Sequence, residues 1–136
     1  MTPERAGTHY VMIVETVLNL PYSTAETEDG PVIEQRPGKV NVRYDAEDES
    51  GIVWTSISFR GAIATRFTPE PACEPWMIEA YSRVCIAEES PWLNELRRLA
   101  LEGGEPIADD RRHWIVYFDH YGCLEVVAED VRLDAA

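Results

Sequence analysis

HWIVYFDHYGCLEVVA, residues 113–128, decides the fold. Two alternating apolar runs flank a short polar loop with a glycine, the pattern of a β-hairpin. Two loop lengths are open. A four-residue loop, Asp119 to Gly122, pairs Phe118 with Cys123 and sets Glu125 among Trp114, Val116 and Phe118. A three-residue loop, His120 to Gly122, pairs Phe118 with Leu124, Val116 with Val126 and Trp114 with Ala128, and that face is wholly apolar. A slip of one residue turns every side chain to the other face, so the second register is expected, with strands at 113–118 and 123–128. It sets Gly122 at the left-handed position of a type I turn with a bulge. The opposite face carries His113, Ile115, Tyr117, Asp119, Cys123, Glu125 and Val127. Such a mixed face is either partly covered or lines a cleft.

Upstream, Ser90-Pro91 opens a helix over about residues 90–102. Serine is a natural N-cap, proline fits the first turn, and Gly103-Gly104 ends it. Leu93, Leu96 and Ala100, with Trp92 and Leu99, form its apolar stripe. Residues 77–87 read as a strand, although MIEAY alone tolerates a helix. Residues 39–44 and 52–60 read as a hairpin around an acidic turn, DAEDESG (45–51). Gly61 bends the chain into a further strand at 62–67. Residues 9–18 form an early strand. Residues 19–38 are a long loop with a short strand near Val32-Ile33. Residues 1–7 and 131–136 are loose ends. The expected fold is one α+β domain over 1–136. Its sheet is mainly antiparallel with six to eight strands, strongly curved or two-layered, and carries one main helix.

The 136 residues suffice for one core, and the formal net charge is −13. Such a surface repels nucleic acid and anionic lipid and attracts a basic protein, a cationic ligand or a metal. The N-terminus shows no signal-peptide pattern and no apolar run has the length of a membrane span. Three cysteines, Cys73, Cys85 and Cys123, form no CxxC pair, so free thiols and a cytoplasmic location are expected.

No Walker A, GxGxxG, GxSxG, HExxH or EF-hand pattern occurs. His113 and His120 stand roughly 20 Å apart on a straight strand and cannot share an ion, so no metal and no cofactor are expected. Across the expected hairpin His113 faces Glu129, which predicts an ion pair. In the loop, Asp119 either caps the turn through backbone amides or joins His120 in an acid/base dyad. Tyr81, Tyr117, Tyr121, Trp54 and Trp76 could line a pocket or an interface.

The order SPWL, a leucine-rich helix, a polar loop and then HW-IVYFD-HYG-CLEVVA resembles a loose group of small acidic bacterial proteins. Some of these are encoded beside polymorphic toxins and act as immunity proteins. The resemblance spans about residues 52–128 and carries no catalytic signature, so no functional residue follows from it. It implies a non-catalytic, protein-binding inhibitor, as monomer or homodimer, that covers a basic toxin domain. Its contacts would come from the acidic segments: Asp45, Glu47, Asp48 and Glu49, with Asp109 and Asp110. The alternative is a small-molecule-binding domain or enzyme whose cleft is lined by His113, Tyr117, Asp119 and Glu125.

Overall fold

The structure, a computed structural model, describes residues 12–24 and 27–135. In chain order it comprises β1 (Val14–Asn19), β2 (Val32–Arg36), β3 (Gly38–Asp48), β4 (Gly51–Ala62), β5 (Ala64–Pro69) and a 3-10 turn (Glu70–Ala72). Then follow α1 (Pro75–Ile78), β6 (Arg83–Ala87), α2 (Pro91–Glu102), β7 (Arg112–Phe118), β8 (Gly122–Ala128) and β9 (Asp130–Ala135). The strands form two antiparallel sheets, β1-β6-β7-β8-β5 and β2-β3-β4-β9.

The main core lies between the sheets. Val40, Val42 and Tyr44 of β3, with Ile57 and Phe59 of β4, meet Trp114, Val116 and Phe118 of β7 and Leu124, Val126 and Ala128 of β8. Each contributes alternate residues, as strand geometry requires. Two strands pass from one sheet into the other at a shared corner. β4 bends at Gly61 (φ 65°) into β5, and β8 turns at Glu129 into β9. The Glu129 amide donates to the Arg60 carbonyl and the Ile63 amide to that of Val127, which joins the sheets there. A second core covers the outer face of the first sheet, where Trp76, Met77 and Ala80 lie on Cys85, Ile115, Tyr117 and Cys123.

The hairpin faces are as the sequence indicates, but the register is displaced by two residues. Phe118 pairs with Gly122, Val116 with Leu124 and Trp114 with Val126. A shift of two preserves every face, so hydrophobicity alone could not resolve it. His120 (φ 70°), not Gly122, takes the left-handed position of the turn. Gly122 is required for two other reasons: its φ of 146°, outside the left-handed helical region, is one that L side chains rarely adopt, and a Cβ there would lie 2.1 Å from the Thr68 carbonyl of the neighbouring β5.

The helix at 90–102 forms as α2, with the Ser90 hydroxyl accepting the Leu93 amide at 3.0 Å. Leu93 is buried, whereas Leu99 is half exposed. Residues 77–82 are not strand. Pro75 starts α1, which places Trp76 and Met77 on the sheet, and Ser82 (φ 58°) turns the chain into β6. Residues 45–48 are strand rather than turn, because Ala46 continues the inward series Val40, Val42, Tyr44. Residues 130–135 are not a loose tail; Val131 and Leu133 carry the alternation of β9, which pairs with β4. Residues 1–7, and the part of the early strand before Met12 that includes His9, lie outside the described residues.

Candidate functional site

At the turn end of β3 and β4, Asp45 pairs with Trp54 and Glu47 with Ile52 on the outward face of the second sheet. Ile52 is 50% exposed and Trp54 38%. The Arg43 guanidinium stands 5.5 Å from the Trp54 ring centroid, a cation–π contact that braces the indole. The connection before β2 lies against this end. The Glu28 amide donates to Asp45 Oδ1 at 3.0 Å, and Tyr22 Oη donates to Asp48 Oδ2 at 3.2 Å. Asp48 also accepts the Ser50 hydroxyl and amide, which hold its carboxyl below the ordinary aspartate range. Glu28, Asp29, Glu47 and Glu49 are exposed. The result is an aromatic and aliphatic pair among carboxylates from two segments.

Not every carboxylate expected at an interface is available. Asp45 is 2% exposed and its carboxylate holds the preceding loop, so it builds the surface rather than contacting a partner. Glu47, Asp48 and Glu49 do share the turn end. Asp109 and Asp110 are exposed but belong to the opposite end of β4, where the adjacent Arg111 donates to the Gly61 carbonyl at 2.8 Å. From Ile52 to Gly61 the strand spans roughly 30 Å. The two acidic segments therefore do not form one patch.

The mixed face of the β7–β8 hairpin is covered. His113, Tyr117 and Glu125 are each 3% exposed or less. His113 does not face Glu129; it pairs with Val127, and its Nε2 lies 2.6 Å from Glu125 Oε2. Glu129 instead lies 4.0 Å from Arg111. Arg66 donates to Glu125 through Nε and Nη2 at 2.9 and 3.0 Å. Ser90 Oγ lies 2.7 Å from His113 Nδ1. Trp76 and Trp92 stand edge-on to the imidazole, and Arg66 lies over Trp92.

With the Nε2 proton directed at Glu125, Nδ1 accepts the Ser90 hydroxyl proton and Ser90 Oγ accepts the Leu93 amide. Both imidazole nitrogens, the Ser90 hydroxyl and the Leu93 amide are then satisfied. Burial is the largest influence on Glu125 and raises its pKa, but the hydrogen bonds from His113 and Arg66 together outweigh it and hold the carboxyl below the ordinary glutamate range. Serine, histidine and glutamate in contact suggest nucleophilic chemistry by composition. Here, however, the hydroxyl is buried and already shared between the imidazole and the helix amide, so the arrangement fixes α2 to the sheet. Burial also pushes the Cys85 and Cys123 thiols up, which makes them poor nucleophiles.

Asp119 lies apart from His113 and Glu125, at the hairpin turn, where its Oδ1 accepts the His120 amide at 3.2 Å. Of the aromatics, Trp76 and Tyr117 are buried, while Trp54 and Tyr81 remain exposed. A shallow pocket of about 240 Å3 lies on the outer face of the second sheet, lined by Glu34, Arg36, Lys39 and Asn41, away from the mixed face.

Sequence reasoning named Trp54 as a pocket or interface aromatic but joined neither it and Ile52, nor Glu28, to the acidic turn. The phase of Ile52 and Trp54 was legible, since both stand out of phase with Thr55, Ile57 and Phe59. The position of Glu28 depends on where a long loop settles. No family model, curated protein or solved structure matches the chain. Among the described residues no helix is long and apolar enough to cross a membrane.

Proposed function

We propose that the chain is a non-catalytic protein-binding module that docks a basic partner through the turn end of β3 and β4, as an immunity-type inhibitor covering a toxin domain would. One observation carries the reading: Ile52 and Trp54 stay exposed on the sheet beside the exposed Glu47 and Glu49, with Glu28 held at the edge through its amide on Asp45. Interfaces concentrate binding energy in a few aromatic or arginine anchors surrounded by polar groups. The carboxylate rim and the net charge of −13 favour a cationic partner and speed its encounter. The rigid strand pair keeps the ordering cost of binding low.

The ligand-cleft alternative finds less support, because His113, Tyr117 and Glu125 lie beneath Trp76 and α2. The test is retention of a partner by the tagged chain and by Trp54→Ala and Glu47→Lys/Glu49→Lys variants, at low and high salt. The reading expects a basic protein bound by the parent chain, weakened by salt and lost from the variants.

A further inference from the structure

The β7–β8 turn carries a donor set that the docking surface does not use. Glu70, Asp119 and His120 each place one carboxylate oxygen or ring nitrogen within 4.8 Å of the others. His120 Nε2 lies 3.6 Å from Asp119 Oδ2. Donors around one ion at the usual bond lengths stand roughly 3–3.5 Å apart. The set therefore needs only a small side-chain rotation to close, and the His120 side chain, 75% exposed, is free to make it.

The framework beneath these donors is fixed. Glu70 comes from the 3-10 turn, fifty residues before the hairpin turn, yet three hydrogen bonds join the two segments. The Glu70 amide donates to the Tyr121 carbonyl at 3.1 Å. The His120 amide donates to Glu70 Oε2 at 2.7 Å. The buried Tyr117 hydroxyl donates to the same oxygen at 2.9 Å. Such outer hydrogen bonds orient a ligating carboxylate. No arginine or lysine pairs with Glu70 or Asp119 among the described residues, so two facing carboxylates lack a strong cation. An imidazole in the set distinguishes it from an ordinary acidic turn: carboxylates alone suit calcium or magnesium, whereas imidazole favours transition metals.

We infer that Glu70, Asp119 and His120 bind one divalent first-row transition-metal ion, with water completing its coordination. The Tyr121 hydroxyl, next to His120, donates to the Glu28 carbonyl at 3.1 Å, so the site adjoins the loop that edges the docking surface, but none of its three donors is a docking residue.

The experiment is calorimetric titration of the full chain with Mn2+, Zn2+, Mg2+ and Ca2+ in turn. Glu70→Gln retains an acceptor for Tyr117, and His120→Asn tolerates the left-handed backbone, so both variants should keep the fold, as near-UV circular dichroism can verify. Asp109→Asn/Asp110→Asn controls for non-specific attraction. Co2+ spectra distinguish oxygen and nitrogen ligation from binding by the three thiols. The expected result is one saturable site for Zn2+ and Mn2+, tighter for Zn2+, with little Mg2+ or Ca2+ binding. Each site variant should weaken it about 10- to 100-fold, the control should not, and Co2+ should show no thiolate charge-transfer band. Absence of saturable binding, a thiolate band, or equal affinity in the site variants would overturn the assignment.

Discussion

Glu125 Oε2 lies 2.6 Å from His113 Nε2 although the strand register sets His113 opposite Val127. The contact is therefore diagonal across the hairpin, and Arg66 closes it from β5 through two hydrogen bonds. Replacing Glu125 by Gln leaves the shape but removes the charge that Arg66 and His113 share. The Arg66 side chain is 42% exposed and stays solvated, so the loss is that of charge-assisted hydrogen bonds, about 1.5–3 kcal/mol. Urea denaturation near neutral pH should show the loss.

The same carboxylate gives stability a pH dependence of known sign. Its folded pKa is depressed, so the unfolded chain takes up the proton more readily. The contribution is complete above the ordinary glutamate pKa of about 4.3 and is lost as pH falls through the lower folded value. The stability gap between the parent chain and Glu125→Gln should therefore narrow on acidification, as paired urea midpoints at neutral and acidic pH would show. A gap that widened would contradict the assignment.

Ser90 serves the helix and the imidazole together. Ser90→Ala removes the cap on Leu93 and leaves His113 Nδ1 buried without a donor. The two losses sum to about 2–3 kcal/mol, more than an exposed N-cap costs. Ser90→Thr, which keeps the hydroxyl, should recover part of this in thermal melts.

Gly122 tests the hairpin register. A methyl group there meets the Thr68 carbonyl at 2.1 Å. Gly122→Ala must push β5 off β8 and should cost about 3 kcal/mol. Had Gly122 occupied the turn's left-handed position, asparagine would be tolerated there. The structure predicts that Gly122→Asn is as damaging as alanine, whereas His120→Gly is neutral or mildly stabilising.

Much of the fold was legible because alternation and punctuation are local. The apolar face of 113–128, the Ser90-Pro91 cap and the bend at Gly61 all rest on neighbouring residues. What escaped depends on distant ones. The register of β7 and β8 is set by the approach of Thr68, more than fifty residues before Gly122. Glu125 looked out of place beside Ile115 and Cys123 until Arg66 and His113 supplied its partners. Asp45 looked like a surface charge because nothing nearby in sequence reveals that the Glu28 amide binds it. The phase of Ile52 and Trp54 sets them on the face opposite Thr55, Ile57 and Phe59, but which of the two faces stays open depends on the sheet packed against β4.

The docking reading is tested most directly by retention of partners from a lysate of the source cells. The tagged chain and the Trp54→Ala/Glu47→Lys/Glu49→Lys variant would be compared, each after low- and high-salt washes. Loss of a central aromatic anchor costs about 2 kcal/mol or more of binding, while stability should change little because Trp54 is partly exposed. The account predicts a stoichiometric basic protein on the parent chain, loosened by salt and absent from the equally well-folded variant. Equal retention by both chains, or a small molecule and no protein on either, would contradict it.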